Sequence, residues 1–302
     1  MSKPICILVS DLHLSHTPPV ARSTEESWYA VQAGYLAQLK QIAKDAGDVP
    51  VVCAGDIFDR WDAGSTCTNF AIEHLPHMFA VAGQHDLPNH SYADIERSSY
   101  WTLMQAEKIS NLDYTIKHPY SHDGLLLYGF PWGCDIKPPK RLGAQKNIHL
   151  AVVHAYCWRA GCGHPGAEDS TLSAKYRDSL KGYDTAVFGD NHVHFTDSKG
   201  TPTIYNCGTF MRRKLDERDC KPGVGILYAD GRISRQPLIT DQDKFIDVAA
   251  IRDAFATDAK IAGFLEYIRN MTGEQLSFED AVRRGLDKLS PAAADLIREV
   301  MG

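Results

Sequence analysis

The feature that most constrains this chain is a set of short apolar runs, each ending in a residue able to bind a metal ion. ILVS is followed by Asp11-Leu12-His13, and VVCA by Gly55-Asp56. MFAVA leads to Gly83-Gln84-His85-Asp86, HLAVV to His154, and TAVFG to Asp190-Asn191-His192-Val193-His194. Short, β-branched apolar runs followed by polar turns read as strands. In open α/β sheets, ligand sites form outside the carboxyl ends of the strands. Stretches far apart in sequence would therefore converge on one cleft. A lone Asp or His after a strand is more often a turn or capping residue, so it is the series that carries the reading.

The same pattern predicts strands at 5–10, 51–54, 78–82, 125–128, 149–153, 186–188, 203–205, 224–228 and 233–238. Helical stretches alternate with the early ones. Ser23 and Glu26 have capping-box spacing, ahead of a stripe of Trp28, Val31, Tyr35, Leu36, Leu39 and Ile42, and Gly47 is a natural stop. Further helices are expected over 66–75 and 100–108. Strands alternating with helices, then runs of strands, indicate a layered α/β fold with large mixed sheets over residues 1–240. From 241 to 302 the pattern is helical throughout, with expected helices at 247–256, 259–270, 278–289 and 291–300. Ser277 with Asp280, and Ser290-Pro291, are start signals there. The loop at 131–140 is rich in Pro and Gly and is expected to be exposed.

Composition narrows the classes. Apolar residues are 44% and charged residues 23%, which excludes a disordered or fibrous chain. Lys+Arg number 32 against 38 Asp+Glu, a net charge of −6, so bulk positive charge does not hold this protein on nucleic acid. Eight cysteines include no CxxC pair, and at this length they suggest free thiols in a reducing compartment. The first apolar run is too short for a signal peptide, and no stretch approaches the roughly 20 apolar residues of a membrane span. A cytoplasmic protein is the expectation.

Mixed carboxylate, imidazole and amide donors suit Mn²⁺, Fe or Zn²⁺ better than the all-oxygen sites of Ca²⁺ or Mg²⁺. The donors are too many for one tetrahedral ion and suit two ions sharing a carboxylate, about 3.5–4 Å apart. Such a pair activates water and stabilises an in-line phosphoryl displacement. No G-x-S-x-G, P-loop or G-x-G-x-x-G supports a covalent or nucleotide-cradle alternative.

The series D-x-H, G-D, G-Q-H-D, a strand-end His and a final G-x-x-H-x-H resembles the calcineurin-like metallophosphoesterases. Three stretches, AGQHDLPNHS (82–91), FGDNHVHF (188–195) and YNCGTFMRRK (205–214), resemble the DNA-repair exonuclease branch. Members of that branch are the nuclease partner of a coiled-coil ATPase in double-strand-break processing, and bacteriophage forms look most similar. The resemblance implies a four-layer α/β/β/α sandwich with a C-terminal helical appendage. It also implies a two-metal phosphodiesterase, an exonuclease or endonuclease acting on DNA, with Mn²⁺ the expected ion and Mg²⁺, Fe or Zn²⁺ the alternatives. Asp11 and His13 would bind the first metal and Asp56 would bridge both. Gln84, standing where the family usually has Asn, and His154 would bind the second.

The last motif departs from the family's G-H-x-H and admits two registers. With Gly189 fixed, Asp190 joins the second metal and His192 the first. With the H-x-H fixed, His192 and His194 are the pair. The first register needs no insertion after the strand and is preferred; His194 is then a surface or supporting residue. By the same resemblance His85 would protonate the leaving oxygen, Asp86 would orient its imidazole, and the nucleophile would be metal-bound hydroxide.

Weaker features complete the reading. His16 and His90 lie close to the metal motifs, where contact with substrate phosphate weighs evenly against a plain polar loop. Arg212, Arg213 and Lys214 form the densest basic run; the resemblance puts it on a loop near the site, where holding a DNA backbone by ion pairing weighs evenly against a solvated turn. Cys157, Cys162 and His164 lack a fourth partner for structural zinc. Trp132, Tyr156 and Trp158 either stack on bases or pack under loops. Ile261, Phe264, Leu265 and Ile268 form a stripe that would dock the ATPase partner, cover the core or make a homodimer contact. The rival functions are a phosphomonoesterase or nucleotide phosphodiesterase on the same fold, and a non-catalytic binding module, against which the His85-Asp86 pair argues.

Overall fold

The computed structural model describes residues 2–112, 120–122, 124–139, 147–164 and 166–247. The chain divides into two compact units. The larger comprises Met1–Thr17, Ser27–Arg212 and Asp219–Asp243. Its elements in chain order are β1 (Pro4–Val9), α1 (Trp28–Asp45), β2 (Val51–Cys53), α2 (Gly64–His74), β3 (Met78–Ala80), α3 (Ser99–Gln105), β4 (Ile109–Asn111), β5 (Tyr120–His122), β6 (Leu125–Phe130) and β7 (Ile148–His154). Then come α4 (Ser173–Ser179), β8 (Thr185–Gly189), β9 (Phe195–Asp197), β10 (Thr203–Asn206), β11 (Gly223–Tyr228) and β12 (Ile233–Pro237).

The strands form two six-stranded sheets, ordered β12-β11-β1-β2-β3-β4 and β5-β6-β7-β8-β10-β9. In the first, β1 through β4 run parallel; in the second, β6, β7, β8 and β10 do. The outer partners β5, β9, β11 and β12 are antiparallel. Alternate residues of each central strand face two different cores, which is why the strands read as unbroken apolar runs. Leu8, Val52, Val81, Leu127, Leu150 and Val187 meet between the sheets. Ile7, Val9, Cys53 and Met78 face the other way, onto Tyr35, Leu36 and Leu39 of α1, Cys67 and Ala71 of α2, and Leu103 of α3. Ala151, Val153, Ala186 and Phe188 pack with Leu180 and Tyr183 just after α4, with Tyr176 of α4 against them. These layers make an α/β/β/α sandwich.

Every strand expected from sequence is present, and β4, β5, β9 and α4 are additional. Helix α1 starts later than the Ser23–Glu26 spacing suggests. Its N-cap is Ser27, whose hydroxyl accepts the Ala30 N–H at 3.3 Å. Ser23 instead follows a 3-10 turn at Val20–Arg22. Gly47, at φ 99°, takes the left-handed conformation that closes the helix end. The buried face of α1 also braces the first metal motif. Gln32 exchanges two hydrogen bonds with the Ser15 backbone (2.9 and 3.0 Å), and Trp28 Nε1 donates to Ser15 Oγ (2.9 Å).

The second unit comprises Pro18–Glu26, Arg213–Arg218 and Lys244–Gly302. Its described part centres on Arg22, whose buried guanidinium donates to Glu25 (2.5 Å) and the Lys244 carbonyl (3.2 Å) and lies over the Phe245 ring. The helices expected after residue 247, with the Ile261–Ile268 stripe, lie outside the described residues.

Candidate metal centre

The loops leaving β1 and β2 stay paired after the strands end. Asp11 N donates to Gly55 O (3.0 Å), His13 N to Asp56 O (3.0 Å) and Leu14 N to Ile57 O (2.8 Å). Within this ladder Asp11 (φ 53°), His13 (φ 45°) and Asp56 (φ 53°) adopt left-handed backbone, as does Asp190 (φ 79°) after β8. Non-glycine residues enter this region at a cost, and sites where they do cluster at function. Glycines supply the close approach. A Cβ on Gly83 would overlap the Asp56 carboxylate, and one on Gly55 or Gly189 would overlap the His154 ring.

Two groups of side chains result, sharing Asp56. In the first, His13 Nε2 and His192 Nε2 lie 3.2 Å apart, and Asp11 Oδ1 is 3.9 Å from one and 3.8 Å from the other. Asp56 Oδ2 is 3.7 Å from His13 Nε2 and 3.5 Å from His154 Nε2. In the second, Gln84 Oε1 lies 2.6 Å from His154 Nε2, while Gln84 Nε2 donates to Asp190 Oδ1 at 2.6 Å. Asp190 is tied back to the first group, its backbone N–H donating to the Asp11 carboxylate (3.1 Å).

The donor chemistry tests whether cations fit. His154 Nδ1 faces the Ala54 carbonyl at 2.5 Å, so that nitrogen must donate. Neutral His154 then points a lone pair from Nε2 at two more acceptors, Asp56 Oδ2 and Gln84 Oε1. Such a convergence needs a proton or a cation at its centre. Without a cation a proton fills the place: burial pushes the imidazole down, but the charge and hydrogen bond of Asp56, with the Asp11 and Asp190 carboxylates, together outweigh it and raise the pKa to about 10. Burial likewise pushes Asp56 up, and the imidazoles of His154, His13 and His85 outweigh it and hold the carboxyl below its usual range. Asp190 is raised by burial despite His154 and Gln84. These are the properties of a site built for positive charge.

Residues 6–194 match the sequence profile of the calcineurin-like phosphoesterases. The chain belongs to that family. Divalent metals are therefore expected in this phosphoesterase, and the clustered donors fit them. Among solved structures, the phosphoesterase is similar to an archaeal phosphodiesterase (13% identity, 77% of this chain and 99% of that one, TM-score 0.41). It is also similar to phosphopantetheinyl hydrolase from Mycobacterium tuberculosis (12%, 82% and 99%, 0.42) and to NAD nucleotidase from Haemophilus influenzae (13%, 94% and 59%, 0.43). No curated protein sequence matches it.

Several sequence expectations are redrawn. His194 does not join the cluster. Its Nδ1 donates to the Asn206 carbonyl (2.7 Å), its ring packs on Tyr205, and burial with the nearby Arg235 lowers its pKa to about 4. His192 stands in one donor group with Asp11 and His13, whereas Asp190 meets the cluster through Gln84 and through its backbone N–H to Asp11. Asp86 does not orient His85. Its buried carboxylate accepts backbone N–H groups of Ile57 (3.2 Å), Phe58 (3.0 Å) and Gly83 (3.0 Å), fastening the β2 and β3 loops together. Burial and the Asp56 charge raise this carboxyl to about 7 against the pull of those amides. Arg212 is engaged elsewhere, donating to Asp243 (2.7 Å) and the Thr240 carbonyl (2.6 Å). Arg213 belongs to the second unit, where its backbone N–H is bound by Glu217. His90 is exposed at the end of a left-handed turn, and His16 meets the Tyr29 hydroxyl (3.0 Å).

His85 sits beside the first group, edge-on to His13 with ring centroids 4.8 Å apart. Sequence reasoning missed what holds it: Asp59, three residues after Asp56. The Asp59 carbonyl accepts from His85 Nδ1 (2.7 Å), and its carboxylate faces His13 Nδ1 (3.5 Å). The repeat of an acidic residue at that spacing was the available signal. Asn191 and Asn206 were also missed. Asn191 Nδ2 donates to the carbonyls of Cys157 (2.8 Å) and Cys162 (2.9 Å), and Asn206 Nδ2 to those of Asn191 (2.6 Å) and Val193 (2.9 Å), which shapes the loop carrying His192. Trp158 packs on its own loop, Nε1 donating to Glu168 O (3.0 Å), whereas the Trp132 ring lies 6.3 Å from that of His154.

Bound divalent cations would supply the charge that activates water and polarises a phosphoryl oxygen. Asp11, His13, His192 and Asp56 would hold one, and Asp56, Gln84, His154 and Asp190 the other. His85 has Nδ1 committed to the Asp59 carbonyl, and it also lies within one group of potential metal donors with His13 and Asp56.

Proposed function

We propose that this phosphoesterase is a DNA nuclease, a Mn²⁺-dependent phosphodiesterase in which His85 Nε2 gives a proton to the departing oxygen. The observation supporting it is that the three stretches resembling the repair exonucleases meet at one place. Gln84 of the first bonds Asp190 of the second (2.6 Å). Thr209 of the third donates its N–H to the His192 carbonyl (3.0 Å), and Phe210 donates to the Asp11 carbonyl (3.4 Å). The resemblance is thus concentrated on residues that shape the cluster. With Arg212 internally paired, DNA would be held chiefly by the metal centre, in keeping with the acidic net charge, and loaded by a partner such as a coiled-coil ATPase.

The test is digestion of end-labelled linear duplex DNA with Mn²⁺, comparing the protein with His85→Ala. Mn²⁺-dependent loss of the label that fails in the variant supports the nuclease. Intact DNA beside hydrolysis of a small phosphate ester overturns the DNA substrate and leaves a monoesterase or nucleotide phosphodiesterase. Failure on both substrates leaves the binding module.

A further inference from the structure

Positive charge gathers without a counter-ion where the outer strands β9 and β12 flank the His192 loop. His194 follows His192 by two residues, and a Cβ on Gly208 would crowd the His192 carbonyl and the His194 nitrogen alike, so this place adjoins the metal centre. Its floor is Tyr205 of β10, wholly buried, on which the His194 ring packs. Gly225 of β11 makes room for that ring: a Cβ there would lie 2.9 Å from it. Arg235 of β12, in register with Gly225, comes up beside the Tyr205 hydroxyl. Arg159 is tied to β9, donating to the Thr196 carbonyl (3.1 Å), and Thr196 is the ladder partner of Tyr205. Arg159 is exposed and Arg235 half-buried, so solvent reaches both.

Among the described residues neither guanidinium has a carboxylate within ion-pair distance; Arg159 has the Thr196 carbonyl and Arg235 the Lys221 carbonyl. Arg235 Nε and the Tyr205 hydroxyl are buried with no hydrogen-bond partner, although the two side chains are neighbours. Burial first, then Arg235 and more weakly Arg159, hold the His194 pKa down at about 4, so both cations act on one imidazole. Buried donors without acceptors call for a ligand, and unpaired guanidinium forks suit the oxygens of a phosphate.

We propose that Arg159 and Arg235, with Tyr205 beneath them, form a subsite for a second, non-reacting phosphate of the substrate, beside the phosphate held at the metal centre. The favoured substrates are then those with two phosphates in succession, either along a nucleic-acid strand or at the phosphorylated end of a short nucleotide. This rests on the phosphoesterase chemistry of the centre and not on DNA being the substrate.

The experiment titrates inorganic phosphate into the cation-stripped full chain by isothermal calorimetry and soaks crystals of the same chain in tungstate. The anomalous tungsten peak should lie between Arg159 and Arg235. Arg235→Met and Arg159→Met should each weaken phosphate binding by about tenfold or more, the worth of one charge-assisted hydrogen bond. Arg159 is exposed, so its variant tests the subsite without a folding risk. Arg60→Met, which removes an exposed arginine already paired with Asp62, should not weaken it. With the loaded enzyme, KM is compared for a dithymidine phosphate with and without a terminal phosphate, and for a longer strand. A lower KM for the phosphorylated dinucleotide that Arg235→Met abolishes assigns a terminal phosphate; a gain confined to the longer strand and lost in the same variant assigns a backbone phosphate. No phosphate binding by the stripped chain, a tungsten peak elsewhere, or binding indifferent to both variants overturns the proposal. If no dinucleotide or strand is cleaved, the proposed function fails, and calorimetry and diffraction still decide the subsite.

Discussion

His85 Nδ1 lies 2.7 Å from the backbone carbonyl oxygen of Asp59, so the ring is oriented by main chain and not by a neighbouring carboxylate. In the proton-donor role proposed for His85, a general acid contributes roughly 10²- to 10⁴-fold to rate. His85→Ala should lower kcat by that order on an ester with an alkoxide leaving group. It should cost far less on a p-nitrophenyl ester, whose leaving group needs no proton. Equal losses on both substrates would make His85 a structural residue.

Asp86 gives a stability prediction. Asp86→Asn places an amide donor where Oδ2 now accepts two backbone N–H groups, those of Ile57 and Gly83. Each buried donor left unpaired costs about 1–3 kcal/mol. Thermal unfolding of the cation-free variant should show the loss, and an unchanged Tm would refute the fastening role.

Gly83→Ala should empty the centre. The new Cβ would press on the Asp56 carboxylate and lie 2.6 Å from the Asp56 nitrogen. Metal content by inductively coupled plasma spectrometry is expected to drop, with secondary structure by circular dichroism retained.

Cation removal should destabilise the fold. Binding to the native state alone stabilises by about 2.7 kcal/mol at a hundredfold excess over Kd. Chelation should therefore lower Tm, and Asp56→Asn should shrink the difference between loaded and stripped protein. A variant with the full difference would deny Asp56 its shared position.

Acid sensitivity should come in part from Asp197. Partial burial pushes this carboxyl up, but Ser173, the Lys199 amide and Arg177 outweigh it and hold it below the ordinary 3.8. Arg177 pairs with it at 2.9 Å. A depressed carboxyl adds stability above its unfolded pKa, lost as pH falls through the folded value. Urea midpoints taken between about pH 5 and pH 2 should fall less steeply for Arg177→Met than for the parent chain. Equal slopes would count against the pair.

The central strands and the cluster were legible because parallel strands buried on both faces leave apolar runs that stop at their functional residues. What was not legible was local in another sense. Strands β4, β5 and β9 are three-residue edges with polar members, such as Ser110, Ser121 and Thr196, and β5 is exposed throughout. Helix α4 buries only Ser173, so it shows no stripe. The Ser27 cap lost to Ser23 because two start signals stood four residues apart. Asp59 acts on His85 through a carbonyl, which no side-chain pattern records, and the competing demand of three amides on Asp86 became visible only in three dimensions.

Asp11, His13, Asp56 and Asp190 all bend the backbone left-handed. Each such non-glycine residue forgoes about 1–2 kcal/mol that glycine would not, somewhat less where a short polar side chain bonds locally. Glycine at any of the four would relieve that strain, so each glycine substitution should raise thermal stability while removing a side chain from the cluster.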